Sequence, residues 1–268
     1  MEKIPCSVGV LTFNSGTTLR RALESVHEFD DIIVNDGGST DDTLVIAKEF
    51  GCHIISQDKQ YQNAEGRLND YAGVRNQCLA AAKHDWFLYV DSDERAAPEL
   101  VEEIRGIVAQ RDPATLIYNI SPRIVVEGMV VEHSSNYPGW QKRFFNKKTG
   151  AYFRKPLHER ITYDESRYIP GYLQGHWQYF VPLNYEVAKS WRYARIDALI
   201  HQTRNTSLFL KFAIPRLVIA AKVALKTLYN YARYGSKGNM PLILEYSRIE
   251  YQFMLFWLLL KAYFGKKI

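Results

Sequence analysis

The 268-residue chain reads as an α/β protein, a mostly parallel sheet flanked by helices with an amphipathic helical extension at its C-terminal end. Three observations predict this. Over the first 110 residues, short apolar runs alternate with segments of helical length, as in βαβ units whose sheet is covered on both faces. From about residue 114 the pattern changes to strands joined by turns. Beyond about residue 184 it becomes helical, with Pro215 and the Gly235–Gly238 stretch as breaks.

Each element has its own signal. "CSVGVLTF" (6–13) is a buried strand, and "SGTTLRRALESVH" a helix opened by Ser15 or Thr17. "DIIVND" is the second strand. The helix "STDDTLVIAKEFG" follows, with Ser39 or Thr40 as cap, acids in its first turn and Gly51 at its end. "CHIISQ", "NDYAGVRNQCLAAAKH", "WFLYVD" and "PELVEEIRGIVAQ" continue as strand, helix, strand and helix. In "GWQKRFFNKKTGAYFRKPLHERITY" a turn at Lys148-Thr149-Gly150 joins two strands. Sheets of this kind bind nucleotides and other ligands at the carboxyl ends of their strands.

Composition excludes several classes. An apolar fraction of 47% and a charged fraction of 24% belong to an ordinary globular protein rather than a disordered one. Cys6, Cys52 and Cys78 are widely spaced, odd in number and without a CxxC pair, which points to buried free thiols in a reducing compartment. The chain runs straight into a strand-like segment, so no secretory leader is expected. No stretch reaches the roughly 18 apolar residues of a membrane span. The net charge of +5 is unevenly spread: residues 189–268 hold 14 basic and 3 acidic groups, leaving 20 basic and 26 acidic groups in 1–188. A tail with an excess of +11 suits an anionic surface.

"WFLYVDSDERAAPEL" (86–100) carries the chemistry. An apolar strand ends in Asp91, Asp93 and Glu94. Acids before Ala97-Pro98-Glu99 could simply open a helix. Alternatively, Asp91 and Asp93 alternate along an extended chain, point the same way and offer carboxylate oxygens to Mg2+ or Mn2+.

The order and spacing of "LTFNSGTTLRRALESV", "DDIIVNDGGSTDDTLVIAKEFG" and "GVRNQCLAAAKHDWFLYVDSDE" resemble family 2 glycosyltransferases of the GT-A fold. The likeness is to the branch that adds sugars to lipopolysaccharide core or other lipid-linked glycans. It covers roughly the first 110 residues and continues more loosely through "GWQKRFFN" and "KPLHERI".

The resemblance implies an inverting transfer from a nucleotide-sugar donor, a UDP-sugar first, to a lipid-linked or lipopolysaccharide-type acceptor with a divalent metal as cofactor. It makes Asp91-Ser92-Asp93 the DxD element, with Asp93 the principal metal ligand, Asp91 on metal, ribose or metal-bound water, and Glu94 a support. Asp36 would bind base or ribose beside Gly37-Gly38, whose backbone allows close approach. Thr12 and Asn14 would line the same pocket, although Asn14 also suits a helix cap. Asp41 reads as a helix-start charge. Arg75 and Asn76 would lie near the nucleotide, on a helix whose Val74, Cys78, Leu79 and Ala82 face the core; a solvated arginine is the alternative, and the resemblance favours binding. Glu159 is the candidate general base and His158 its companion, with Asp164 and Glu165 as a fallback. The segment "QDKQYQNAEGRLNDYAG" is longer than the family pattern and leaves the pocket's lining open there.

The tail "TSLFLKFAIPRLVIAAKVALKTLYNYARYG" spaces apolar residues helically between Lys211, Arg216, Lys222, Lys226 and Arg233. Helices this apolar, aromatic and basic suit the interface of an anionic membrane. A packed helical pair or a homo-oligomer face would use the same pattern. Nucleic-acid binding needs less apolar basic segments and is not expected. The reading is therefore a GT-A domain over 1–188 and a membrane-associating extension over 189–268, peripheral on the inner face of the cytoplasmic membrane. A metal-dependent phosphatase using Asp91, or a silent sugar-nucleotide-binding protein, are the rival readings.

Overall fold

The computed structural model describes residues 2–62, 68–156, 159–183 and 187–267. His158 and part of the long segment before Arg75 therefore lie outside the described residues. The chain divides into two compact units, residues 1–123 with 138–180, and residues 124–137 with 181–268. The helices expected after residue 184 belong to the second unit, which also takes in the hairpin segment 124–137.

In the first unit, β1 (Ile4–Thr12), β2 (Phe29–Asp36), β3 (His53–Ser56) and β4 (Trp86–Asp91) run parallel in the order β3-β2-β1-β4. Helices α1 (Leu19–Val26), α2 (Thr43–Glu49), α3 (Tyr71–Ala81) and α4 (Pro98–Val108) alternate with them, with β5 (Glu94–Ala96) between β4 and α4. The later strands β6 (Ile117–Val126), β8 (Gln141–Asn146) and β11 (Gly171–Phe180) extend the same sheet. β7 (Met129–Val130) pairs with the end of β6 at Val125 and Val126, residues that belong to the second unit, and β9 (Tyr152–Arg154) pairs with β10 (Arg160–Thr162) apart from the main sheet. The pairs β4–β8, β6–β8 and β11–β5 are antiparallel. Parallel pairing thus ends where the sequence changes from long βα connections to turns, because only a crossover helix lets successive strands run the same way.

Side-chain parity builds the two faces. On β4, Trp86, Leu88 and Val90 join a core with Leu19 and Leu23 of α1, Ile46 of α2 and Leu100 and Ile104 of α4. Phe87 and Tyr89 point the other way, into a core with Cys78 of α3, Phe145, Phe153 and Ile161. Phe87, Phe144 and Phe145 are fully buried, and each such ring contributes on the order of 2–3 kcal/mol. Trp86 stacks on Phe144 with centroids 4.6 Å apart. Gly9 is required by a close approach: a Cβ there would sit 2.7 Å from the Phe87 ring and 3.0 Å from Cys78 Cβ.

The helix starts differ in detail from the sequence reading. α1 begins at Leu19, and the Ser15 carbonyl accepts from the amides of Thr18 and Leu19. α2 begins at Thr43, and its first amide donates to Asp41 Oδ1 rather than to Ser39 or Thr40. Asp70 caps α3 through its side chain, which accepts from Gly73 N at 2.9 Å.

In the second unit, α5 (Val187–His201), α6 (Thr206–Tyr234) and α7 (Leu242–Tyr263) surround a core of Ala194, Ala198, Ala213, Met254, Leu255, Leu258 and Leu259. Pro215 does not break the chain as expected; it lies inside α6. Its missing N–H interrupts the ladder, and Arg216 Nε donates to the Phe212 carbonyl, one turn back, at 3.3 Å. The turn at Glu127-Gly128 has positive φ at both residues, 48° and 80°, as a tight hairpin needs. Segment 124–137 is tied in by hydrogen bonds from the amides of Glu132 and His133 to the Gly238 carbonyl, and by the buried Glu245, which accepts from Ser135 N at 2.8 Å. Among the described residues no helix is long and apolar enough to cross a membrane.

Candidate active site

The carboxyl ends of β1, β2 and β4 lie side by side: Thr12 is in register with Asp36, and Leu11 with Asp91. Parity then sends their side chains to different faces. Even-numbered Thr12 and Asp36 continue the face of α1 and α2, and Asp91 continues the face of Phe87 and Tyr89 beside α3.

The first cluster is a folded loop. Asp36 is buried and its carboxylate accepts from Thr12 Oγ1 (2.9 Å), Gly38 N (2.9 Å), Ser39 N (2.8 Å) and Ser39 Oγ (2.6 Å). Four donors match the acceptor capacity of a carboxylate, so Asp36 shapes the 37–39 turn from within. Gly38 adopts φ +93°, which a side chain would oppose. Asn14 does not cap α1. It sits in the left-handed region at φ 49°, and its Oδ1 accepts from Thr40 N at 2.9 Å. Asp41, besides serving α2, accepts from Gly16 N at 2.8 Å, and these hydrogen bonds lower its pKa. Phe13 lies between these residues with 61% of its surface exposed, a Cβ at Gly37 falling 3.3 Å from its ring. Sequence reading passed over Phe13. An aromatic residue alternating with buried Thr12 at a strand end was the available signal.

The second cluster is charged. Arg75 is buried and donates from Nη2 to Asp91 Oδ1 (2.7 Å) and from Nε to Glu159 Oε1 (2.6 Å). Its guanidinium also lies 4.3 Å from the centre of the Tyr89 ring. The structure thus brings together Arg75, Asp91 and Glu159, drawn from α3, β4 and the approach to β10. Burial works against the Arg75 charge, but Asp91, Tyr89 and Glu159 raise its pKa, so it remains a cation. Burial likewise opposes the Asp91 charge, and the guanidinium groups of Arg75 and Arg143 overcome it and hold its pKa down. Asn76, one residue on, turns elsewhere. Its Nδ2 donates to the Phe153 carbonyl and its Oδ1 accepts from Phe153 N, both at 2.9 Å, fastening α3 to β9.

Glu94 braces the acidic turn. It is buried, accepts from Asp91 N at 3.0 Å, and is gripped by both terminal nitrogens of Arg143. Arg143 in turn stacks over Trp177 at 3.6 Å. Burial pushes Glu94 up to about 7 against the pull of Arg143. Glu94 lies on β5, and it is Glu99 that occupies the first turn of α4. β4 ends at Asp91, so Ser92 and Asp93 form a turn rather than continuing the extended alternation expected from sequence; the Ser92 hydroxyl lies 2.9 Å from that of Ser15 and joins the β1 loop to this turn.

Asp93 is exposed, and partial desolvation together with the Asp91 charge raises its pKa. Arg21 reaches only its backbone carbonyl, at 3.1 Å. The charges of Arg21 and Arg143 pull the other way, but Asp93 makes no ion pair among the described residues, and a carboxylate so placed beside a second carboxylate is an environment that a bound cation would relieve. Among the described residues no cluster of three metal-ligating side chains forms. Mg2+ sites of one or two carboxylates, completed by water and substrate phosphates, do not need one. The donor set therefore fits such an ion.

Arg75, Asp91, Glu94, Arg143 and Glu159 open on a cavity of about 800 Å3 in the first unit. Glu165 also lines it. Asp164 is exposed and engaged with Ser166, N and Oγ.

A family model described as glycosyl transferase family 2 matches residues 7–164. An uncharacterized glycosyltransferase of Rickettsia felis is 31% identical over 157 residues, covering 58% of this chain and 49% of its own. The glycosyltransferase SunS of Bacillus phage SPbeta is 26% identical over 160 residues, covering 59% and 35%. The chain spans about half or less of the length of these relatives. Among solved structures, S. aureus TarS 1-349 in complex with UDP-GlcNAc is similar at 14% identity and a TM-score of 0.44, covering 99% of this chain and 93% of that one. Glucosyl-3-phosphoglycerate synthase of Mycobacterium tuberculosis, in complex with Mn2+, UDP and phosphoglyceric acid, shows 23% identity and a TM-score of 0.33 over 46% and 43%. With its motifs on the carboxyl ends of the parallel strands and the family model covering more than half of its length, the chain belongs to glycosyl transferase family 2.

Proposed function

We propose that the protein is an inverting glycosyltransferase that moves a sugar from a nucleotide-sugar donor, a UDP-sugar first, to a lipid-linked or lipopolysaccharide-type acceptor. The observation that carries this reading is the Asp91-Ser92-Asp93 turn, bonded through Ser92 to the β1 loop and through Asp91 to the Arg75–Glu159 pair. The base and ribose lie over the loop that Thr12, Asn14 and Asp36 organise, with the exposed Phe13 ring as a flat apolar surface for the base. Arg75 stands near the diphosphate, and Asn76 holds α3 in place for it.

Asp93, with Asp91, would hold a divalent ion, which when bound neutralises charge on the leaving nucleoside diphosphate. Glu159 takes the proton of the acceptor hydroxyl as that oxygen attacks the anomeric carbon from the side opposite the diphosphate. Arg75 aims the Glu159 carboxylate through Nε. Glu94 and Arg143 fix the backbone of the acidic turn, so the carboxylates need no rearrangement during transfer. His158 stays a candidate companion to Glu159.

The tail supports attachment to an anionic membrane surface on the cytoplasmic side. α6 carries five basic residues and no acidic one over 29 residues. Its exposed apolar residues Leu210, Ile214, Val218, Leu225 and Leu228 recur at helical spacing, with Lys211 and Lys222 beside them.

The deciding experiment is release of nucleoside diphosphate from a panel of sugar nucleotides with Mn2+, with and without acceptor. Asp93→Ala is expected to abolish release while folding normally. A folded Asp93→Ala protein with turnover near wild type removes Asp93 from the site. A phosphatase would release inorganic phosphate instead, and a silent binding protein would release nothing.

A further inference from the structure

The outer half of the cavity has chemistry that the transfer step leaves unused. Of the four lining carboxylates, Asp91, Glu94 and Glu159 are held by Arg75 and Arg143. That leaves Lys142 and Arg160 as lining cations without a carboxylate partner among the described residues, against the single unpaired acid Glu165. Lys142 instead rests over the Tyr163 ring, 5.4 Å from its centre.

Beside them stands Trp140, 40% exposed, held edge-on to Tyr172 with ring centroids 5.0 Å apart. A tryptophan fixed by a second aromatic and still open to solvent presents a rigid apolar surface. Deeper in, two buried donors on residues of the same wall have no acceptor among the described residues: Arg75 Nη1 and Trp177 Nε1. Each residue is about 95% buried, so solvent does not readily supply the missing partner. The site thus offers a flat ring surface, two cations without a carboxylate partner among the described residues and two donors without an acceptor there, with one carboxylate to accept from hydroxyls. A neutral sugar uses the ring surface and Glu165 but leaves both cations idle. A free anion uses the cations but not the ring.

We infer that the outer cavity is an acceptor subsite for a sugar bearing an anionic group, phosphate or carboxylate, with the sugar ring against Trp140 and its anion on Lys142 and Arg160. This rests on the glycosyl-transfer reading above and adds the acceptor's chemical class to it. Charge-assisted contacts of this kind are also directional, so the anion sets which hydroxyl of the ring is presented towards Glu159.

The test uses the full chain with UDP and Mn2+ present, titrated by ligand-observed NMR with glucose, glucose 6-phosphate, glucuronic acid and inorganic phosphate. The two anionic sugars are expected to bind at least about tenfold more tightly than glucose or inorganic phosphate. Lys142→Ala with Arg160→Ala should bring the anionic sugars down to the level of glucose, and Lys142→Arg with Arg160→Lys should restore part of the difference. Trp140→Ala should weaken glucose and glucose 6-phosphate alike; Trp140→Phe serves if the alanine variant misfolds. Preference for only one of the two anionic sugars supports the subsite and names its anion. Equal binding of glucose and the anionic sugars, equal binding of inorganic phosphate and glucose 6-phosphate, or a preference that survives the double alanine variant overturns it. Binding of UDP and the other nucleoside diphosphates of the donor panel, followed in parallel by thermal shift, separates the two levels. Failure of the wild-type protein to bind UDP or any other nucleoside diphosphate of the panel sinks the transferase reading, whereas nucleotide binding without discrimination among the sugars sinks the subsite alone.

Discussion

At the scale of single residues, the site depends on which carboxylates have partners. Glu159 is aimed by Arg75, and Asp164 is spent on Ser166. Glu159→Gln is therefore expected to keep donor affinity and lose about 10²-fold or more in kcat, the usual scale for a general base. If Asp164→Asn is the dead variant and Glu159→Gln turns over, the base is Asp164. The cysteines show burial as the leading cause of a raised pKa, opposed at Cys78 by the Arg75 charge and joined at Cys6 by the Asp31 charge. Burial raises Cys52 to about 11 and Cys78 to about 12, and Cys6 well above its ordinary value. Because the thiolate is the reactive form, a raised pKa removes it at neutral pH. Alkylation of the half-buried Cys52 in the native protein should climb about tenfold per pH unit from 8 towards 11. A plateau already at pH 9 would show a thiol with an ordinary pKa. Asp91, Arg75 and Glu159 could be named from sequence because each sits inside a quoted local pattern, whereas their mutual contacts, which span 16 and 84 positions, could not. Arg143 was not legible, since its partner Glu94 is 49 positions away and nothing local marks the pair.

At the scale of elements, β4 was legible to its last residue, because five buried apolar residues in a row end in a charge. Parity then places Asp91 on the face of Phe87 and Tyr89, but it says nothing of Asp93, which lies in the turn beyond the strand. β5 escaped reading because a three-residue strand carries almost no periodic signal, and its pairing with β11 is a long-range event. β11 did carry one, with Leu173, Gly175 and Trp177 alternately buried. Gly175 shows why a glycine stands in that strand: a Cβ there would lie 2.4 Å from Leu100 Cα at the start of α4. The Gly175 amide also donates to Glu103 Oε2 at 2.9 Å, so β11 cannot simply back away. Gly175→Ala is expected to cost about 1–3 kcal/mol, the range for overpacking, seen as a lower denaturation midpoint at unchanged slope. A midpoint equal to wild type would mean that α4 yields freely. Pro215 was misread for a physical reason: an isolated turn cannot absorb a lost hydrogen bond, but a 29-residue helix packed on α7 can.

At the scale of the whole molecule, the tail's composition was legible and its role was not, because apolar and basic residues at helical spacing serve a membrane, a partner or a core equally well. In the structure the core claims one side of α6 and α7, and the rest is partly half-buried and partly exposed, with Leu225, Leu228, Phe253 and Trp257 among the exposed residues. The full chain is expected to co-sediment with vesicles containing anionic lipid and to be released by high salt, each surface lysine or arginine contributing on the order of 1 kcal/mol. Changing Lys211 and Lys222 to Glu and Leu225 to Ser should abolish binding without altering the melting temperature greatly. Binding that ignores both anionic lipid and these substitutions points to a packing or oligomer role. The chain enters the second unit at residue 124, leaves it at 138 and returns at 181, and the early visit is fastened to Gly238 and Glu245. A gene fragment ending at residue 180 would therefore encode a hairpin with its partners missing, and its product should be insoluble even though every motif residue is present. Across evolution the same stitching forbids exchange of the tail by a single crossover. A lineage adopting a new tail would have to rewrite residues 124–137 at the same time, so the two segments form one heritable module interrupted by another.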